Sequence, residues 1–317
     1  MATKDTLADK NRKYNAIRKQ MQEEVFRDID REDYIKNLFN KSEEIVRNEI
    51  DKLYMNYANQ NGLSLSEVKK RADAMDVMKF QEKARKYVQN KDFSPEANEW
   101  LKVYNLKMKA SRLELTKAEI DLELNKMYFD LDDYVYENIN QEVLIHLQEQ
   151  SGILGISSST INERIEKITA MDFLGKNFSE RIWGKNGHYH SAQKEIFKSL
   201  HSIFTTMDGY KQERRRLQRI FNVNQSQANT LLFTEITRAK SQTTDLLYRE
   251  NGFTHYTYVS ELNAGTCDIC KELDGKVFKV EDREIGVNAA PMHPNCKCRD
   301  YAQIKWLKIL IRLITMV

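Results

Sequence analysis

The chain has few of the residues that interrupt helices. Its 317 residues include 3 prolines and 11 glycines, and only Gly62 and Pro95 precede Gly152. Because proline and glycine end or kink helices, this scarcity argues against a turn-rich β protein and predicts long helices. A composition of 41% hydrophobic and 31% charged residues also argues against a disordered chain.

Long apolar runs are also lacking. No stretch approaches the roughly 20 apolar residues that span a bilayer, so we expect no transmembrane segment. Residues 1–24 mix both charge signs and lack the apolar run of a signal peptide. We therefore expect the protein to be synthesised in a reducing cytoplasm and to remain there at first. The net charge of +3 gives no overall attraction to a polyanion, so any contact with nucleic acid has to be local.

The fold class that we predict is mainly α, with a small α+β cysteine and histidine module near the C-terminus. Changes in sequence texture divide the chain into an elongated helical region (1–150), a second helical region (151–252), a small α+β module (253–303) and an apolar, basic tail (304–317). The first boundary rests on the run SGILGISSS at 151–159, which gathers glycine and serine as a hinge does.

Finer expectations apply after the hinge. We expect a helix over 178–204 that is interrupted near Gly184 and Gly187, and a last long helix that begins at Asn224. Alternation of aromatic or β-branched residues with others predicts two short strands, at 254–259 and 276–280. The tail IKWLKILIRLITMV is too short to span a membrane, and we expect it to pack as a basic amphipathic helix.

All four cysteines of the protein cluster near the C-terminus beside a histidine. The five side chains are Cys267, Cys270, His293, Cys296 and Cys298. A zinc ion takes four nitrogen or sulfur ligands in a tetrahedron, and a C-x-x-C turn supplies two of them. Zinc is therefore the favoured cofactor, with five candidates for four positions. Disulfide or redox chemistry and simple packing of buried thiols remain as alternatives.

Other histidines and the wider motif pattern give no sign of catalysis. The sequence lacks an H-E-x-x-H metalloprotease motif, and zinc held by four protein ligands is structural. His188 and His190 flank Tyr189, and we interpret both as solvated surface residues without a role. We therefore expect no enzymatic activity and no small-molecule substrate.

A basic cluster occupies about two turns of a predicted helix. Its members are Lys211, Arg214, Arg215, Arg216 and Arg219. Such a cluster suits contact with phosphate groups, which makes double-stranded DNA a candidate partner. The alternative is a solvated helix face that pairs with acidic residues.

Three runs near the C-terminus resemble the phage head morphogenesis family, which includes SPP1-type minor head proteins and phage Mu F-like proteins. The runs are TEITRAKSQ, TCDICKELDGKVF and GVNAAPMHPNCKCRDY, and the resemblance extends over about 177–301. Ala290 stands where the family often has the first proline of a pair. The motif positions outside the ligand set include Thr234, Glu235, Arg238, Asp274 and Gly275.

These motif positions also have a local interpretation. Glu235 and Arg238 lie three residues apart on a helix and can pair, and Asp274–Gly275 is a turn signal ahead of a strand. We therefore assign all five a structural role.

The resemblance implies a minor head protein that helps the procapsid assemble at the portal and later assists DNA packaging, retention or ejection. It also implies residence in the host cytoplasm during assembly and then inside the virion head, with the portal protein and the major capsid or scaffold protein as partners. A zinc-dependent nuclease of the H-N-H kind and a phage-derived toxin carrier are the alternatives, and no second histidine follows HPNCKC to support the nuclease.

Overall fold

The computed structural model describes residues 5–58, 86, 94, 112–155, 165–169, 171–172, 175–205, 210–263 and 265–303. The helices are α1 (Leu7–Ala58), α2 (Arg112–Leu154), α3 (Ile165–Thr169), α4 (Phe178–Trp183), α5 (His188–Thr205), α6 (Tyr210–Glu250) and α7 (Asp268–Leu273). The strands are β1 (His255–Val259), β2 (Val277–Lys279) and β3 (Arg299–Gln303). The mainly helical fold with a small α+β part near the C-terminus is therefore confirmed.

Two predicted segments lie wholly or partly outside the described residues. The tail at 304–317 is one of them. Of the predicted hinge at 151–159, residues 151–154 continue α2 and Gly155 forms a turn, and the remainder is not described. Within the described parts of the chain, no helix is long and apolar enough to cross a membrane.

The chain forms two compact units, and each draws on separate stretches of sequence. Unit one contains Met1–Glu32, Tyr134–Phe178 and Asn229–Val317, and unit two contains Asp33–Asp133 and Ser179–Ala228. No sequence pattern indicates that residues near the two ends of the chain share a unit. The predicted regions 1–150, 151–252 and 253–303 remain predictions about domain boundaries.

Unit two has an aromatic core and a glycine-dependent corner. Tyr128 is fully buried and meets Phe39 and Tyr189 edge-on, with ring centroids 6.1 Å and 5.9 Å away. The predicted interruption between α4 and α5 is present. A Cβ atom added at Gly184 or Gly187 would come within 2.4 Å of a backbone carbonyl oxygen, so a side chain cannot be accommodated at either position.

The last long helix does not begin at Asn224, as the sequence had suggested. α6 runs without a break from Tyr210 to Glu250. The Asn224 side chain donates to the Ile220 carbonyl at 2.8 Å and accepts from the Tyr128 hydroxyl at 3.1 Å. Asparagine favours caps because its amide seeks local partners, and here those partners are available inside the helix.

The sheet of unit one has three antiparallel strands in the order β2-β1-β3. Tyr256 of β1 lies opposite Phe278 of β2 and Ala302 of β3. The two predicted strands are therefore present, with β2 shorter than expected, and β3 is an addition. Its sequence RDYAQ lacks polar and apolar alternation because all five residues are buried, and partners elsewhere in the unit balance its charges.

Candidate metal centre

The first two candidate ligands are positioned by the start of α7. Cys267 caps this short helix, and its Sγ accepts a hydrogen bond from the Cys270 backbone N–H at 3.4 Å. The helix ends at Leu273 with Asp274 as its C-cap, and Gly275 follows with a φ of +73°, a conformation that glycine adopts without strain. The turn at Asp274–Gly275 then leads into β2, in line with its sequence.

A tight turn between β2 and β3 carries the other three candidates. The Cys296 backbone N–H donates to the His293 carbonyl at 3.1 Å, and Asn295 adopts a φ of 61°. The Thr234 hydroxyl of α6 accepts from the Asn295 backbone N–H at 3.1 Å. The motif threonine therefore holds the turn that presents His293 and Cys296.

The five candidate ligands form two overlapping groups. Cys267, Cys270 and His293 make one group, and Cys270, Cys296 and Cys298 make the other, with all donor atoms of a group within 4.8 Å of one another. Cys270 belongs to both groups. Its Sγ lies 3.5 Å from His293 Nε2 and 3.9 Å from Cys296 Sγ.

These separations suit a tetrahedral zinc ion. Zinc bonds of about 2.3 Å to sulfur and 2.0 Å to nitrogen place neighbouring ligand atoms roughly 3.5–3.8 Å apart. The distance between Cys270 Sγ and Cys296 Sγ is far longer than the roughly 2.05 Å of a disulfide bond. A donor set of thiolates and one imidazole is also the set that zinc prefers among divalent ions.

Protons are shared unevenly among the thiols. Hydrogen bonds from Cys270 and Cys298 lower the pKa of Cys296 far below its usual range. The same interactions, together with burial, raise the pKa of Cys270 and of Cys298. At Cys267, the hydrogen bond from the Cys270 backbone lowers the pKa. Thiolates are the metal-binding form of cysteine, so Cys267 and Cys296 are ready ligands.

The surroundings of the cluster complete its polar contacts. The fully buried Tyr258 hydroxyl donates to Cys270 Sγ at 3.4 Å. On the solvent side, His293 Nδ1 lies 2.8 Å from the Pro294 carbonyl, which leaves Nε2 facing the cysteines. A second partner that fixes the ring in this way is typical of metal-binding histidines.

The structure places the remaining candidates in different settings. Arg215 and Arg219 are exposed on α6, and Arg216 lies 3.6 Å from Glu195. The side chains of Lys211 and Arg214 are outside the described residues. His190 is exposed as expected, whereas His188 is half-buried beside Gln227, and burial lowers its pKa.

Glu235 and Arg238 form a buried ion pair. Arg238 Nε donates to Glu235 Oε2 at 2.7 Å, and neither side chain is more than 1% exposed. The same guanidinium donates to the carbonyls of Ile168 and Thr169, which ties α6 to α3. These contacts support the structural role that the sequence suggested for the motif.

The motifs described above do not include a second cluster, which is a buried network of ion pairs beside the cysteines. Glu24 of α1 bonds Lys240 and Arg299, and Glu142 of α2 bonds Lys240 and Arg31. One signal could have revealed it. Glu24, Asp28 and Arg31 continue the spacing of Ile17 and Met21, so charged residues occupy core positions of an amphipathic helix.

Fold and site together define a mainly helical protein that carries a compact cysteine and histidine module on a three-stranded sheet. Residues 194–300 match the family described as Phage Mu protein F like protein, and the matched segment includes all five candidate ligands. The family resemblance seen in the sequence is therefore confirmed over this segment. Comparisons with curated proteins and with solved structures gave no match.

Proposed function

We propose that this chain is a bacteriophage minor head protein that acts in head morphogenesis, with a structural zinc ion in its C-terminal module. The observation that carries the proposal is the match of residues 194–300 to the phage Mu F-like family. The portal protein and the major capsid or scaffold protein are the proposed partners. The protein assembles with them in the host cytoplasm and remains in the interior of the head.

The proposed zinc ion has a clear structural task. It joins the turn at 293–298 to the start of α7, next to a sheet whose strands are only three to five residues long. Cys270 belongs to both groups of donors, so we propose it as a ligand of any four-residue set. Four protein ligands leave no open position for water, and the ion then acts in folding rather than in catalysis.

Metal analysis tests the zinc site. We expect one zinc ion per chain in protein purified without chelator. Replacing each of the five candidates by serine or alanine in turn should abolish stoichiometric zinc at four positions and spare it at the fifth, which serves as the internal control. Zinc-free protein with two intact disulfides would contradict the site.

The proposed contact with packaged DNA is local and modest. Arg215 and Arg219 present exposed guanidinium groups on α6, and the whole chain carries a net charge of only +3. This distribution suits salt-sensitive contact with the phosphate backbone rather than sequence-specific recognition.

A gene deletion tests the role in the head. Particles from a phage without the gene are compared with those of the parent for infectivity and for portal content. Loss of infectious particles while the portal and the major capsid protein still assemble would support the proposal. Normal virions without the protein would contradict it. Metal-dependent DNA cleavage by the purified chain, abolished by Cys298→Ser, would indicate a nuclease instead.

A further inference from the structure

We propose that residues 5–32 of α1 and the metal centre are thermodynamically coupled, so that zinc binding strengthens the docking of this part of α1 and docking strengthens zinc binding. The inference rests on the proposed zinc site. The family match begins only at residue 194, yet residues 5–32 and the cysteines belong to the same compact unit. Three lines of contact connect them.

The first line of contact reaches the end of α7. The Tyr14 hydroxyl of α1 donates to Asp274 Oδ2 at 2.9 Å. Asp274 Oδ1 accepts from the Ser260 backbone N–H at 2.7 Å, so the same carboxylate fixes the segment that follows β1. Because α7 begins at the Cys267 cap and contains Cys270, Tyr14 restrains the helix that presents two of the ligands.

The second line of contact reaches the segment that follows β1. Arg18 donates from one guanidinium nitrogen to the Ser260 carbonyl at 2.9 Å and from another to the Glu261 carbonyl at 3.1 Å. Ser260 and Glu261 directly follow β1, and the Tyr258 hydroxyl of β1 donates to Cys270 Sγ at 3.4 Å. Arg18 therefore fixes the end of the strand that carries Tyr258, without touching the cluster itself.

The third line of contact follows from the alternation of side chains along an extended chain. Cys296 and Cys298 turn toward the cluster, whereas Lys297 and Arg299 turn toward α1. Lys297 pairs with Asp28, and Arg299 pairs with Glu24. Any rotation that changes the direction of the two thiols also displaces both cations from their carboxylates. The side chains on the two faces of this segment therefore cannot adjust independently.

These contacts make α1 a positioning element for the ligands. Partners in the outer shell of a metal site commonly change its affinity by about 10-fold to 100-fold when they are removed. Coupling between two binding events is reciprocal, so the effect of α1 on zinc has to equal the effect of zinc on α1. Both directions can be measured in the full chain.

The first arm of the test measures zinc affinity in the full chain by competition with a chromophoric chelator. Arg18→Ala should weaken zinc binding by about 10-fold, and Tyr14→Phe, which removes a single hydroxyl, by a smaller factor. The matched control is Lys19→Ala, which removes a neighbouring long cation whose side chain is 77% exposed. The control should retain the parent affinity. Circular dichroism verifies that each variant is folded.

The second arm needs no variant. Hydrogen exchange over residues 5–32 is compared before and after zinc is removed by a chelator, with α5 of the other unit as the reference. We expect faster exchange in residues 5–32 and no change in α5.

Three outcomes separate the inference from the proposal beneath it. Equal zinc affinity in Arg18→Ala and Lys19→Ala would overturn the coupling while leaving the zinc site intact. Unchanged exchange over residues 5–32 after zinc removal would also overturn it. Absence of zinc binding by the parent chain would instead overturn the site on which the inference rests.

Discussion

His146 is a neutral histidine enclosed by charges. It is 2% exposed, and its Nε2 lies 2.7 Å from the Thr244 hydroxyl. Burial lowers its pKa well below the usual value of 6.5, and the positive charges of Arg299 and Lys240 lower it further. At mildly acidic pH, His146 therefore stays unprotonated in the folded protein, whereas it binds a proton in the unfolded chain.

The stability of the fold should fall on acidification for this reason. Below about pH 6.5 the unfolded state binds one more proton at His146 than the folded state, so stability decreases by up to about 1.4 kcal/mol per pH unit until the lowered folded pKa is reached. His146→Gln, which can still bond Thr244, should reduce this dependence between pH 6.5 and 5.5. Urea unfolding followed by circular dichroism measures it.

The control for the histidine is His190→Gln, a change at an exposed position of the other unit. It should leave the pH dependence of the parent unchanged. Acid release of zinc affects all three proteins alike, so the difference between the two variants isolates His146. Identical slopes in the two variants would contradict the prediction.

At lower pH, we expect a second group, the carboxylate of Glu142, to make the stability of the fold depend on pH. Although burial opposes ionisation, Lys240 and Arg27 are among the groups that lower the pKa of Glu142 to about 2. A lowered carboxylate pKa contributes stability that is complete above the unfolded value near 4.5 and is lost as the pH falls toward 2. Acid unfolding should therefore show a second, lower phase that Glu142→Gln removes. An unchanged acid profile in Glu142→Gln would argue against this contribution.

Arg238 should be among the most sensitive residues in the chain. Arg238→Ala removes the guanidinium that pairs with buried Glu235 and the donors to the Ile168 and Thr169 carbonyls. Loss of one partner of a buried pair costs about 3–5 kcal/mol. Arg249→Ala breaks another pair within the same helix, with i,i+4 spacing, at a side chain that is 48% exposed, and it should cost less than about 1 kcal/mol. Equal unfolding midpoints in urea would refute the difference.

At the scale of elements, α6 contributes buried, ion-paired residues to unit one and exposed arginines to unit two. We expect the double variant Arg215→Gln and Arg219→Gln to weaken DNA binding and to reduce the magnitude of the slope of log K against log salt by up to about two. Arg249→Gln, which removes one positive charge from another part of the same helix, is the control. Fluorescence anisotropy with duplex DNA at several salt concentrations measures both quantities, and matching slopes would exclude this face.

Sequence alone predicts the helices well and the sheet less well. Scarce proline and glycine leave α1 and α2 uninterrupted, and the packing of Gly184 and Gly187 against carbonyl oxygens explains the corner between α4 and α5. β3 could not be predicted, because Arg299 and Asp300 read as surface residues until their partners are known. Those partners are Glu24, which lies 275 residues before Arg299, and Arg283, which lies 17 residues before Asp300.

The candidate site was likewise predictable from the sequence only in part. The spacing of the cysteines and His293 predicts which residues converge, because one local turn holds the C-x-x-C pair and another holds the remaining three candidates. The surrounding contacts were not predictable, because Tyr14 and Arg18 lie more than 240 residues before their acceptors. Local spacing therefore identifies a donor set, and only the fold reveals what orients it.

At the scale of the whole molecule, unit one is assembled from three separate stretches of chain. Deletion of residues 1–32 would remove the carboxylates of Glu24 and Asp28 and leave Lys240, Lys297 and Arg299 with fewer counter-charges in a buried setting. We expect the deleted chain to lose amide protection throughout unit one and to keep it in α5. Native protection around the cysteines in hydrogen exchange would contradict this dependence.

The same long-range contacts determine when unit one can fold during biosynthesis. Lys13 donates to the carbonyl of Ala302, a partner 289 residues further along the chain. At a translation rate of about 5–20 residues per second, the ribosome completes this partner roughly 15–60 s after it has made the lysine. During that interval, Ile17 and Met21 of the first helix lack Tyr301 of β3, with which they share a buried cluster. Glu24 and Asp28 likewise lack Arg299 and Lys297. Unit one therefore cannot close before the segment that forms β3 has been synthesised.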